Sequence, residues 1–242
     1  MTNVLLFSGG LDSFIHWRLL NHPPCVYVNA GHRYEDAEIS AIERLSERIP
    51  ELKVTQVGRL YLGDLEAEDS HIPYRNLLFA IIAVLQMDTP SDPVKRVYVG
   101  ALSGEISRDK SDKFFKDATS LLSYMEKPIK VEAPFRRLTK SALVSLYLKS
   151  GYSEQDLYLT RSCYHAAPSE KPCGRCMACF RRWVAMANNG ITESHQHDPL
   201  AWAKEQAIAR PLDFMSYLGL ADPREIPAIL RNQWQAWKAG MK

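Results

Sequence analysis

The chain has 242 residues, of which 46% are hydrophobic and 24% charged, and its formal net charge is +2. That is enough apolar material to bury a sizeable core, and too little net charge for a general pull toward nucleic acid or an anionic membrane. No apolar run reaches the roughly 18–20 residues of a spanning helix, and the first residues lack the basic start and long apolar stretch of a secretory signal, so a cytoplasmic setting is expected.

Strand and helix patterns alternate along the chain. Residues 3–8 (NVLLFS) read as a buried strand and 11–20 as a helix; 25–30 (CVYVNA) is a second strand. Over 35–49, Ile39, Ile42, Leu45 and Ile49 recur at three and four residues, the mark of an amphipathic helix. Residues 52–57 form a third strand. Residues 75–87 (RNLLFAIIAVLQM) are apolar nearly all round, which predicts a helix buried within the domain. Strands over 95–101 and 129–134 each precede a helix, at 112–124 and 139–151; Thr139 suits the cap of the last helix and Gly151 its end. Such alternation implies right-handed crossovers and a Rossmann-like α/β fold, a parallel sheet with helices on both faces. Ligands then bind beyond the carboxyl ends of the strands. The segments SGG, GHR, LSGE and PFRR fall at those ends and point to one composite site.

The first of these segments has the strongest chemistry. Ser8, Gly9, Gly10, Leu11, Asp12 and Ser13 join a buried strand to a helix. The glycines let main-chain N–H groups approach an anion, and the helix aims its positive end at the same point. Asp12 belongs in such a phosphate cradle if a magnesium ion comes with the phosphate.

Four of the five cysteines crowd into Cys163-x9-Cys173-x2-Cys176-x2-Cys179. Four thiolates close a tetrahedral zinc site with no open position, which argues for a structural metal. An iron–sulfur cluster or redox work by one C-x-x-C pair are the alternatives, and His165 stands close enough to compete as a ligand. Cys25, in an apolar run, reads as a buried inert thiol.

SGGLDS matches the S-G-G-x-D-S signature of the PP-loop ATP pyrophosphatases. Joined to the cysteine pattern, it makes the chain resemble the 7-cyano-7-deazaguanine synthases, the QueC family. IPYRNLLFAIIA, IKVEAPFRRLTK and TRSCY resemble further segments of that family, and Arg182 matches an arginine three residues after its last cysteine. The resemblance implies that ATP activates the carboxylate of 7-carboxy-7-deazaguanine and that ammonia then gives an amide and finally a nitrile. It implies catalytic roles for Asp12, Lys140 and Arg75, and ATP contacts from residues 8–13, Gly31 and Arg33. Arg75, Asn76, Asp109 and Asp112 become candidates for holding the substrate. ATP, Mg2+ and Zn2+ are the implied cofactors. The chain departs from the family in NAGHRYEDAE, in ISRDKSDKFF, and at Tyr74, which stands where the family has glycine.

Two divisions are expected: an ATP-binding α/β domain over 1–155 and a zinc-binding helical region over 156–242. The tail, with Trp202, Leu218, Leu230, Trp234 and Trp237, is expected to pack on the core, in a homodimer or against a partner protein. Two other functions compete. The adenylate could pass to another amine, even that of a protein. Alternatively, Arg175, Arg181 and Arg182 around the zinc could bind nucleic acid beside a relic loop. A sulfur-transferring enzyme would need a reactive Cys25.

Overall fold

Five strands form one parallel sheet in the order β3-β2-β1-β4-β5: β1 (Thr2–Leu6), β2 (Cys25–Val28), β3 (Val54–Val57), β4 (Val94–Tyr98) and β5 (Lys130–Glu132). The computed structural model describes residues 1–209, apart from 69, 106 and 166, together with residues 223–225. Helices α1 (Leu11–Leu19), α2 (Glu35–Arg48), α3 (Arg75–Met87), α4 (Asp112–Met125) and α5 (Lys140–Lys149) follow the five strands in turn. Beyond them lie α6 (Glu154–Leu157), α7 (Met177–Ala187) and α8 (Pro199–Ala209).

Strand alternation sorts the apolar side chains into two cores. Leu5, Phe7, Cys25 and Tyr27 face one side, where Phe14 and Trp17 of α1, Leu45 of α2, Leu143 and Tyr147 of α5 and Met186 of α7 cover them. Val4, Val26, Val28, Val97 and Val131 face the other, under Ala80 and Ala83 of α3 and Phe115 and Leu122 of α4. Burying both faces is what a parallel sheet requires.

The α3 helix departs from expectation. It is not buried all round: Ala80 and Ala83 lie on the sheet, while Leu85 is 77% exposed. Two alanines on one face let the helix backbone approach closely, and the larger side chains then project along its flanks and outer side. The α5 boundaries follow the sequence reading. Thr139 Oγ1 accepts a hydrogen bond from the Ala142 N–H at 3.0 Å, and Gly151 takes the left-handed conformation (φ +84) that ends the helix. Cys25 is buried in the first core, and burial pushes its thiol well above the usual range, which opposes a reactive role.

In the tail, Trp202 is buried and its ring stands 6.3 Å from that of Phe180. The other tail residues singled out from the sequence (Leu218, Leu230, Trp234, Trp237) lie outside the described residues.

Tyr74, the residue before α3, has φ +60, a region that glycine enters freely and a side chain does not. Its ring is 80% exposed, so removing it leaves no hole. Tyr74→Gly is expected to raise stability by about 0.5–1 kcal/mol, after allowing for the extra freedom of an unfolded glycine. Equilibrium urea unfolding reads this directly, and a destabilised variant contradicts it.

Candidate active site

The sheet order reverses at β1, between β2 and β4, and a crevice opens there beyond the strand ends. A cavity of about 210 Å³ occupies it. The loop after β1 forms its floor, with Ser8, Gly10, Leu11, Asp12 and Ser13 in the lining. Ser13 ties the loop together: its hydroxyl donates to Gly10 O at 3.1 Å and accepts from Ser8 N at 3.2 Å. The first helical hydrogen bond of α1 runs from Phe14 N to Gly10 O. The N–H groups of residues 11–13 therefore precede the helical ladder and form an anion cradle.

Gly9 sits at the back of the loop against α2, with φ +67, and its carbonyl accepts from Arg161 N at 2.9 Å. A Cβ there would stand 2.9 Å from Glu38 O and 3.1 Å from the Ala41 methyl. Gly9→Ala is thus expected to cost about 1–3 kcal/mol and to push the loop out of register. A thermal shift combined with an ATP-binding titration checks both effects; an unchanged melting point and affinity would refute them.

Five charged side chains meet beside the loop. Lys140, the first residue of α5, donates to both carboxylate oxygens of Asp12, at 2.7 and 2.5 Å. Glu105, in the loop after β4, accepts from Lys110 at 2.9 Å and from Leu102 N at 3.1 Å, and lies 3.5 Å from Arg181 of α7. Two anions face three cations, leaving one positive charge in excess. Burial opposes ionisation of Asp12, but Lys140, with Arg181 and Lys110 behind it, more than offsets this and holds the carboxyl below its usual range. Glu105 is lowered likewise: burial is outweighed by Lys110 and Arg181. Burial is also the largest influence on Lys140 and pulls its ammonium down against Asp12.

These shifts set an acid response. His16 is wholly buried, with Nδ1 at 2.7 Å from Asp12 O, and burial pushes its imidazole below the usual 6.5. Below pH 6.5 the unfolded chain takes up a proton there that the folded chain refuses, so stability begins to fall. Asp12 and Glu105, ordinarily 3.8 and 4.5, are depressed in the fold; their contribution is whole above those values and is lost as pH drops through the folded ones. The melting temperature is expected to decline gently from pH 6.5 and steeply below about 4.5. Glu105→Gln should flatten the steep limb. A melting temperature that stays level down to pH 4 contradicts this account.

The far wall of the cavity is aromatic and polar. Arg75 donates to the Tyr34 hydroxyl at 2.8 Å, and the Tyr34 ring stands 5.0 Å from that of Tyr164. His32 Nε2 lies 3.1 Å from Glu38 Oε2, which also accepts from the Tyr27 hydroxyl at 3.0 Å. Asn76 is buried and donates to Asp109 O at 3.3 Å.

The structure thus brings together Ser8, Gly10, Leu11, Asp12, Ser13, Arg75, Asn76 and Lys140 around one cavity. Other sequence candidates lie elsewhere. Arg33 pairs with Glu66 and bonds the carbonyls of Ala67 and Glu68, bracing the connection between β3 and α3. Gly31 donates to Glu35 Oε2 at 2.7 Å; a Cβ on it would sit 3.0 Å from Leu60 O. The Asp109 carboxylate accepts the Ser107 hydroxyl, and Asp112, 73% exposed, pairs with Arg136 at the start of α4. Sequence reasoning missed His32, Tyr34, Glu38, Glu105, Lys110, Tyr164 and the cavity role of Arg181. The LSGE segment flagged the position of Glu105, but nothing in the local pattern of Lys110 or Arg181 pointed to this crevice.

The four cysteines converge as their spacing implies. Their sulfurs all lie within 4.8 Å of one another and are buried, with Cys173 and Cys179 at 3.9 Å. Metal–sulfur bonds of about 2.3 Å in a tetrahedron place sulfurs about 3.8 Å apart, so the set can hold a metal ion. Main-chain N–H groups of Cys173, Arg175 and Cys179 donate to cluster sulfurs at 3.3–3.4 Å, offsetting thiolate charge. Gly174 has φ +72, and a Cβ on it would stand 1.9 Å from His197 O, so this turn accepts no side chain. Cys176 caps α7 and Cys179 lies in its first turn. The two arginines after Phe180 diverge. Arg181 enters the cavity; Arg182 is buried against Glu193 at 2.6 Å, Thr160 Oγ1 at 2.6 Å and Leu157 O at 2.8 Å. Arg175 pairs with Glu205 at the surface. Two of the three arginines therefore face inward and do not form a basic surface around the cysteines. Cys163, Tyr164, Met177 and Ala178 also line the cavity, so the cysteine knuckle is one of its walls.

A parallel α/β sheet with a glycine–serine phosphate loop at its switch point defines a PP-loop nucleotide enzyme. The family model described as queuosine biosynthesis protein QueC matches residues 41–190, and the chain belongs to that family. It is an ATP-dependent, ligase-type enzyme. It is similar to the 7-cyano-7-deazaguanine synthase of Marinobacter nauticus, at 28% identity over 83% of this chain and 97% of the relative. The synthases of Chlorobaculum parvum and Alteromonas mediterranea are 24% and 25% identical, over 82% and 81% of this chain and 97% and 98% of theirs. Among the described residues, no helix is long and apolar enough to cross a membrane.

Proposed function

We propose that this protein uses ATP to adenylate the carboxylate of 7-carboxy-7-deazaguanine and converts it with ammonia to an amide and then to the nitrile. The observation that carries this reading is the convergence of the loop amides with Lys140, Lys110 and Arg181 on one crevice. Bringing a carboxylate to a triphosphate sets two anions together, and three cations around two acids offset that repulsion. The amides of residues 8–13 grip the phosphates. Asp12 would hold the magnesium that accompanies ATP, which would offset phosphate charge, and Lys140 beside it would face the α-phosphate and the departing pyrophosphate. Arg75 and Asn76 hold the deazaguanine against Phe79, Tyr34 and Tyr164, which offer apolar and stacking surface. The α/β part, residues 1–155, does the chemistry. The region after residue 155 supplies a wall and Arg181; Cys163, Cys173, Cys176 and Cys179 would hold a zinc ion, which with four protein ligands would serve structure alone.

Incubation with ATP, magnesium and 7-carboxy-7-deazaguanine, with and without ammonium, tests the reading by mass spectrometry. The expected result is ammonium-dependent amide and nitrile together with AMP and pyrophosphate. AMP without either product, or product only when a protein amine is supplied, would replace ammonia by another nucleophile. No AMP at all would refute the reading.

A further inference from the structure

Turning an acyl adenylate into an amide requires more than activation. The attacking nitrogen must give up a proton, and a group in the cavity must receive it. Most groups there are already committed. Asp12 is held through both oxygens by Lys140. Glu105 is saturated by Lys110, Arg181 and Leu102 N. Glu38 Oε2 takes hydrogen bonds from Tyr27 and His32. Burial raises the phenols of Tyr27 and Tyr34 above their usual range and keeps them protonated. Arg75 stays cationic.

His32 differs from all of these. It lines the cavity, is 5% exposed, and donates through Nε2 to Glu38. Its Nδ1 is buried and has no hydrogen-bond partner among the described residues. A carboxylate on Nε2 fixes the tautomer in which Nδ1 carries a lone pair, which leaves an acceptor without a donor on a ring that lines the cavity. The groups facing it are few. They are Glu38 from α2, Tyr27 from β2 and Tyr34 edge-on at 4.1 Å, with Arg75 of α3 and Tyr164 of the cysteine segment behind Tyr34.

We infer that His32 is the proton acceptor for the nitrogen nucleophile, oriented by Glu38; this rests on the function proposed above. The amine nitrogen attacks the acyl carbon, the C–N bond forms, and the C–O bond to phosphate breaks, so that AMP leaves with the electron pair. The proton released from nitrogen passes to His32 Nδ1 while Nε2–H stays on Glu38, and it reaches solvent before the next turnover. The amide oxygen then attacks the α-phosphorus of a second ATP and pyrophosphate leaves; the C–O bond breaks with the electron pair on AMP, the two remaining N–H protons depart by the same route, and the nitrile forms.

Two readouts on the full-length protein separate the steps. Exchange of labelled pyrophosphate into ATP, dependent on 7-carboxy-7-deazaguanine, reports adenylation. Amide and nitrile formation from ammonium, with rates expressed per free ammonia, reports the nitrogen step. His32→Gln is expected to lower amide formation by about 10²–10⁴-fold and exchange by less than about tenfold. Parallel loss of both activities, or loss of neither, overturns the assignment. Should His32→Gln fail to fold, Glu38→Gln must still lower amide formation more than exchange; an equal effect on both overturns it too. If the wild-type protein shows no exchange, the proposed function falls and this inference with it; if exchange is intact, only the base is at stake.

Discussion

Lys140→Met is expected to lower kcat/KM for ATP by about 10²–10³-fold or more, the usual effect of removing one preorganised group from a developing anion. Its ammonium lies on both oxygens of Asp12, and the residue opens α5, so it joins that acid to the start of a helix. The same change leaves the Asp12 carboxylate largely buried without its nearest cation. Removing one partner of a buried pair costs about 3–5 kcal/mol; with Asp12 19% and Lys140 10% exposed, and with Arg181 and Lys110 nearby, the lower end applies. Stability and catalysis are separable by the double variant Asp12→Asn with Lys140→Met. It should recover most of the melting temperature and none of the pyrophosphate release. A single variant that keeps wild-type turnover would remove Lys140 from the chemistry. A double variant no more stable than the single one would show that the pair does not govern the fold here.

The second large effect concerns the four-cysteine cluster, which could hold a metal. Cys176→Ser, or exhaustive chelation, is expected to leave less than one ion per chain, to lower the melting temperature by roughly 10 °C or more and to abolish ATP turnover. Structural zinc contributes roughly 10–16 kcal/mol of apparent binding free energy in small folding units, and about 1 kcal/mol moves the melting point of a chain this long by 2–4 °C. Part of that loss is cushioned, because Val184, Ala185 and Met186 of α7 stay in the apolar core and Arg182 keeps its ion pair with Glu193. Activity fails for a geometric reason: the first turn of α7 is anchored by Cys176 and Cys179, and Arg181 follows it into the crevice. Elemental analysis, calorimetry and AMP formation on one sample check all three parts. A metal-free protein with full turnover would make the cluster irrelevant to the site.

Much of the architecture was legible because it is written in local periods. The helix over 35–49 was visible as three- and four-residue spacing and runs from Glu35 to Arg48. The loop after the first strand could be located because glycine and serine at a strand–helix junction have few other uses. The cysteine cluster was legible because thiolate chemistry tolerates only a few spacings. Where the reading strayed, the reason was equally physical. Arg33 and Asp112 were singled out as ligand contacts from their place in a segment, which says nothing of direction; in the structure they pair with Glu66 and Arg136. The α3 run looked fully buried because apolar composition does not tell which flank meets a sheet, and Leu85 ended outside.

By itself, then, the chain order of residues determined the strand–helix alternation, the phosphate loop and the thiolate set, since each depends on neighbours within a few turns of backbone. Only the tertiary structure decided that Glu105, Lys110 and Arg181 share one crevice with Asp12 and Lys140, and that His32 stands there with an unused nitrogen. Those residues come from different loops and helices, up to 169 positions apart between Asp12 and Arg181. Coulombic forces and desolvation act through space, so their sum is fixed by how the helices pack on the sheet and not by any distance along the chain.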